Sequence, residues 1–347
     1  MYISFVHYYL PKFFAIGAYI VNPIFVFLIF TDKKSQMGNY KYLLLCFACF
    51  NIAYSTIDIM IPIGAHGYGK SFGLFITEGY FKEASDFNEF MVSIRCTMVS
   101  CSYAILIAHF LYRYLIISKT DLVTRNFHWF LLMLFLLLTV HFVVWINICQ
   151  ACFRGFREKK MYIRDDFYKA YNVDSLKLNI LFAVYGDIDY DMIKYTWIGI
   201  LSLAAISSYS ITCYIVLGYK IIDELNSNEF QMSQNTARLQ RELLKALAVQ
   251  TIIPICVSYT PCFIGWFSPV FGLELGRFDL LSLMLSIVIN RADNYLVTIP
   301  LTAFPFIDPI AIILFLPSLR NRLRFGALKA EVSINKIFVA SGNNNVT

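Results

Sequence analysis

Seven runs of mostly apolar residues, about 20 or more residues each, recur along the chain at 11–30, 42–64, 90–117, 127–147, 197–219, 243–265 and 293–316. Each is long enough to cross roughly 30 Å of hydrocarbon as a helix. Lipid offers no partner to an open amide, so the backbone inside these runs must be helical. The pattern predicts an all-α membrane protein, with a seven-helix bundle over residues 1–316 and a tail over 317–347. The composition agrees: 58% of residues are hydrophobic and 15% charged, against about a quarter charged in soluble domains. A soluble enzyme is excluded.

Between the runs lie two substantial polar segments. Cys149 to Thr196 carries eight basic and seven acidic residues, and Ile221 to Glu242 keeps helical spacing. Leu280–Ile289 is apolar but too short to span, so it reads as an extracellular or interfacial piece before the last helix, with Arg291 outside the membrane. The first run lacks a basic flank and a small-residue cleavage site and is expected to stay as an anchor. With the N-terminus outside, inner segments hold 15 Lys/Arg and outer ones six once the long loop is set aside, which favours that orientation. The C-terminal tail is then cytosolic, and its sequon Asn345-Val346-Thr347 is expected to carry no glycan. The +6 net charge is spread over loops and tail, which fits anionic lipid and argues against nucleic acid.

Two motifs do not carry the chemistry they resemble. Gly64 to Ser71 satisfies the phosphate-loop pattern, but that loop needs a strand before it and a helix after it. Following a membrane helix, it reads as an ordinary glycine-rich loop. Cys149-x-x-Cys152 lacks the βαβ context of a redox pair, leaving a loop disulfide or free thiols. No cofactor or metal pattern is present, so neither is expected.

The third run is more informative. Arg113 sits at its inner end between Tyr112 and Tyr114. One reading is an anchor that snorkels to the headgroups; the other is a charge that holds an inactive state. Arg95 lies 18 residues earlier, roughly 27 Å along the helix, near the outer edge. It either snorkels outward or projects into a cavity. Asp58 and Asp308 fall inside runs, where a carboxylate marks a functional site by default or fixes packing through an interhelical bond. Asn51 and Asp58 share one helix face, and residue 58 lies about 26 Å above Lys41, a height like that of Arg95. An Arg95–Asp58 pair would stabilise the unliganded bundle, and an anionic or carbonyl-bearing ligand could compete for the guanidinium. His109 and His141 read as packed. Pro254, Pro261, Pro300, Pro305 and Pro309 bend the last two runs.

Several segments carry a family resemblance. HYYLPKFFAIGAYIVNPIFVFLIF and GNYKYLLL, SYAILIAHFLYRYL, TARLQRELLKALAVQTIIP and FPFIDPIAIILFLPSLRNRL together resemble the nematode seven-transmembrane chemoreceptors, serpentine receptor class J within the Str group. The resemblance implies an odorant-like G-protein-coupled receptor in the plasma membrane of sensory neuron cilia. Its partners would be a small chemical ligand and a heterotrimeric G protein docking near Arg113 and the Ile221–Lys245 segment. Tyr112-Arg113-Tyr114 stands where rhodopsin-like receptors have acid-Arg-Tyr, with the acid replaced. Asp308-Pro309 is similar to the Asn/Asp-Pro bend of the last helix, with Ile312 where a Tyr is usual. The resemblance also suggests a disulfide from Cys96 to Cys149 or Cys152, although Cys96 is only 17 residues before Arg113. The expected ligand residues are Arg95, Asp58 and Asn51, and the expected switch residues are Tyr112, Arg113, Tyr114, Arg241, Asp308 and Pro309. The competing classes are a seven-span channel subunit or transporter, for which repeats or charged rings are wanting, and an intramembrane enzyme, for which Asp58 and Asp308 lack a flanking signature.

Overall fold

The computed structural model describes residues 5–31, 38–118, 123, 125–227, 234–271, 295–316 and 319–323. In chain order they form α1 (Phe5–Phe30), α2 (Tyr40–Met60), β1 (Ile63–Tyr68), β2 (Ser71–Ile76), α3 (Asp86–Ser118) and α4 (Phe127–Ile148). The fourth helix runs into a π turn, Cys149–Phe153, followed by α5 (Arg157–Tyr162), α6 (Arg164–Tyr171) and β3 (Ile180–Val184). Then come α7 (Tyr190–Ser227), α8 (Gln234–Pro254), a second π turn (Ile255–Tyr259), α9 (Thr260–Phe267) and α10 (Tyr295–Phe315). Six helices, α1, α2, α3, α4, α7 and α10, are long and apolar enough to cross a membrane. α8, its π turn and α9 run on without a break and make the sixth passage, so the described residues hold seven. Leu280–Ile289, Arg291 and Asn345 lie outside the described residues.

One boundary differs from the sequence expectation for a local reason. The second span stops at Met60 rather than 64, because Pro62 pushes Ile61 out of helical geometry, to φ −127° and ψ 70°. Gly64 to Ser71 is therefore neither a phosphate loop nor an irregular one. It is the first strand and turn of a β-hairpin whose two-residue loop is Gly69-Lys70. Gly69 has φ +52°, which glycine adopts at no steric cost.

β2 also pairs with β3, giving a three-stranded antiparallel sheet in the order β1-β2-β3 across one end of the bundle. Alternation assigns its two faces. Phe72, Leu74, Leu181 and Ala183 pack against Val99, Tyr103 and Trp145 of the bundle. Phe75, Ile180, Phe182 and Val184 pack against Ile163 and Phe167 of the lid helices. Cys149 to Thr196, read from sequence as a polar loop, thus supplies a second small core.

Polar side chains fasten this lid. The Lys159 ammonium is buried and donates to the carbonyls of Cys152 and Phe182, each at 2.9 Å. Burial lowers it to about 8, so it is charged at neutral pH. Asn179 donates to Phe81 and Glu83 carbonyls and accepts from the Ser85 amide, pinning the loop before α3. Glu89 accepts from Gly155 N and faces Arg154 and Lys160.

The first and seventh spans approach closely, since a Cβ on Gly17 would lie 2.6 Å from the Phe306 ring. Pro309 has no N–H, which leaves the Pro305 carbonyl without its helical donor. Asn22 donates to that carbonyl at 3.1 Å, and Asn51 donates to Asn22 at 3.2 Å. A buried asparagine pair thereby repairs the proline break. Beyond the seventh span, Arg322 donates to Leu28 O and Thr31 Oγ1, capping the end of α1.

His66 lies under α6, ringed by Phe167, Tyr171 and Phe182. Its Nε2 is 3.4 Å from Asp166 without hydrogen-bond alignment, and burial pushes that carboxyl up and lowers the imidazole to about 4. The unfolded chain, with an ordinary value of 6.5, takes up the proton first. Stability from His66 is thus complete above about pH 6.5 and lost, by about 3 kcal/mol, toward pH 4. Melting temperature of the purified protein should fall over that window and flatten in His66→Phe; equal slopes in both proteins would contradict this.

Candidate functional site

Beneath the sheet the helices enclose a cavity of about 290 Å³. Its roof is Ile63, Leu74, Leu181 and Phe153, and its walls are mostly aliphatic and aromatic. Such a site is typical of small-molecule pockets, in which a few placed polar groups set orientation. Here they come from Arg95, Tyr103, Ser207, Tyr259 and three thiols, Cys96, Cys149 and Cys262.

Arg95 does not snorkel. Its side chain is 1% exposed and forms an ion pair with Asp58, itself 3% exposed. It donates from Nη1 to the Tyr54 hydroxyl at 3.2 Å and lies over that ring. Arg95 lines both the main cavity and a pocket of about 30 Å³ beside the first span, where Asp58 is found. The pair is therefore the partition between two spaces. Arg95 Nε is buried with no acceptor among the described residues.

Asn51 is not part of this site. Seven residues share a helix face but also separate two groups by about 10 Å of axial rise, and Asn51 is spent on Asn22. Neither cavity is lined by it. Nor is the disulfide formed: Cys96, Cys149 and Cys152 are free thiols. Cys96 and Cys149 face the cavity, ten and more residues inside α3 and at the end of α4, whereas the Cys152 carbonyl holds Lys159.

Sequence reasoning did not find the floor of the cavity. Tyr103 and Tyr259 rings lie 4.2 Å apart, Tyr259 meets Ser102 Oγ at 3.1 Å, and Tyr103 meets Ser207 Oγ at 3.0 Å. Tyr214 donates to the Tyr103 carbonyl at 3.1 Å. These residues tie the third, fifth and sixth spans together beside the π turn. π turns often mark functional sites, but no sequence pattern announces one. His141 hydrogen-bonds Ser100 and His109 hydrogen-bonds Tyr40, so both histidines pack as expected.

At the opposite end Arg113 is buried rather than anchored in headgroups. Its Nη1 donates to Gln240 Oε1 at 2.9 Å, and its guanidinium lies 3.6 Å above the Tyr40 ring. Tyr112 stacks on Tyr40 and meets Phe127 and Phe130. Tyr114 faces the Lys220 ammonium, and Arg241 is exposed on α8. Asp308 is fully buried and accepts from Gln250 Nε2 at 3.2 Å. Two glutamines of one helix thus hold the third and seventh spans, Gln240 through Arg113 and Gln250 through Asp308.

The chain matches the family model described as serpentine type 7TM GPCR chemoreceptor Srj over residues 1–323. It is 38% identical over 318 residues to serpentine receptor class J-38 of Caenorhabditis elegans, covering 92% of each chain. It is 23% identical to the G-protein coupled receptor str-33 of the same organism, covering 77% of this chain and 79% of that one. Serpentine receptor class r-10 of that organism is 24% identical over 87% of this chain and 85% of its own.

Removing one member of a buried pair strands the other, at a cost of about 3–5 kcal/mol. Arg95→Leu and Asp58→Leu should each lower the melting temperature of the detergent-purified protein by many degrees. The double variant should melt well above the sum of the two losses. Strict additivity in this cycle would show that the charges are not coupled.

Proposed function

The chain belongs to the serpentine receptor class J family of seven-transmembrane chemoreceptors, and on that basis we propose that it binds a small external chemical in the roofed cavity. It then signals to a heterotrimeric G protein at the Arg113 end. The observation that carries this reading is the buried Arg95–Asp58 pair at the cavity wall. A polar group entering the cavity competes with Asp58 and Tyr54 for the guanidinium. That interaction differs between the paired and unpaired states, so the ligand shifts their populations, as only differential affinity can.

The N-terminus lies outside, so the lid faces the exterior and Arg113 the cytosol, in the plasma membrane of sensory cilia. The bias of basic residues in the short segments supports this orientation. The sixth span is the moving part. Pro254 and the π turn interrupt its ladder between the cavity and the Arg113 end. Gln240 and Gln250 latch its inner half to the third and seventh spans. Tyr112 replaces the usual acid, and Gln240 supplies the restraint that acid would give. Release of Arg113 opens a groove for an apolar helix of the G protein, with Tyr114, Arg241 and the Asp308-Pro309 bend at its edges.

Losing the Gln240 bond, worth about 1.5 kcal/mol, should raise basal signalling by roughly tenfold in Gln240→Ala. Arg113→Ala should reach the cell surface yet give no response. Arg113→Lys keeps the charge without the planar fork and should signal weakly. Nucleotide exchange on membranes measures all three; a silent Gln240→Ala or a fully active Arg113→Lys would refute the latch. Tags at the two termini, stained before and after permeabilisation, should show only the N-terminal one outside; surface staining of the C-terminal tag would reverse the orientation.

A further inference from the structure

Among the described residues the roof of the cavity is closed, whereas its side is not. Among the lining residues, Ile63, Leu74, Phe153 and Leu181 are buried. Trp266 packs on Phe72 and Phe153 and accepts from the Tyr185 hydroxyl through its carbonyl, which closes the gap between sheet and sixth span. The lining residues that are exposed are Ser208, Thr260 and Phe263, the last 55% exposed. All three belong to the fifth and sixth spans. The fifth span approaches α8 but scarcely meets the π turn or α9, so the two helices part beside the cavity. Ser208 lies 18 residues from Tyr190 and 19 from Ser227, so this opening is roughly 27 Å from either end of a continuous helix. That depth is hydrocarbon.

We infer that the ligand reaches the cavity from within the bilayer, through the gap bounded by Ser208, Thr260 and Phe263. The ligand class follows from the route and the lining. It is an uncharged, largely apolar molecule that partitions into lipid and carries a hydrogen-bond acceptor for the unpartnered Arg95 Nε. A charged molecule would have to shed its hydration in the hydrocarbon before arriving. This inference rests on the cavity being the ligand site.

The cavity thiols report the route directly. Full-length receptor in phosphatidylcholine nanodiscs is treated with neutral N-cyclohexylmaleimide or with a sulfonated, membrane-impermeant maleimide, and adducts are located by peptide mass spectrometry. Cys46 and Cys256, exposed on the outside of the bundle, report that the neutral reagent has entered the lipid. Cys96 and Cys262 should react at least tenfold faster with the neutral reagent than with the sulfonated one. Ser208→Trp should slow that reaction several-fold and Phe263→Ala should speed it, with Cys46 and Cys256 unchanged in both. Comparable labelling of Cys96 by the sulfonated reagent would overturn the lateral route, as would rates indifferent to both substitutions. A receptor fully labelled at Cys96 and Cys262 that still signals normally would instead overturn the cavity as the ligand site.

Discussion

An arginine and an aspartate paired in the dry interior govern the outer half of this bundle. Neither charge is tolerable there alone, so the second and third spans must sit at the one register that brings Asp58 and Arg95 into contact. Tyr54 supplies a further acceptor from the same helix as Asp58. With that register fixed, the wall of the cavity is fixed as well, because Cys96, Val99 and Tyr103 follow Arg95 along the same helix. The pair adds little net stability over apolar residues of the same volume. What it adds is a charged, incompletely bonded donor in an otherwise oily space.

The Arg113 end is organised on the same principle with weaker partners. Arg113 meets an amide oxygen and an aromatic face instead of a carboxylate, and Asp308 meets an amide nitrogen instead of a cation. Each ionisable group is thus buried with a neutral companion, and Arg113 Nε, Arg113 Nη2 and Asp308 Oδ1 lack partners among the described residues. A hydrogen bond to a neutral partner lacks the Coulomb attraction that a second charge supplies. The outer pair therefore resists separation more than the inner latches do.

Much of this was legible before the structure. Helical rise converts residue number into height, so Asp58 and Arg95 could be placed at one level from Lys41 and Arg113 alone. The bundle itself follows from seven apolar runs. The lid was hidden because its strands are short, and IGAHGY has neither period. One clue was present: Pro62 bars a helix from continuing through Ile61. The disulfide expectation came from resemblance and not from position: Cys96 and Cys149 line one cavity as free thiols, and Cys152 is turned to the lid. Asn51 was misplaced because a shared face does not mean a shared partner. The carbonyl released by Pro309 claims Asn22, and Asn22 in turn claims Asn51.

The sheet has both faces covered, and its strands send alternate residues to opposite sides. Leu74 and Leu181 touch the cavity, while their neighbours Phe75, Ile180 and Phe182 hold the small core under α5 and α6. Two tasks are thereby written into one strand at even and odd positions. Substitution at the cavity-facing positions can reshape the cavity while the adjacent positions go on holding the lid in place. The shape of the roof and the attachment of the lid are thereby set by different residues of the same strand.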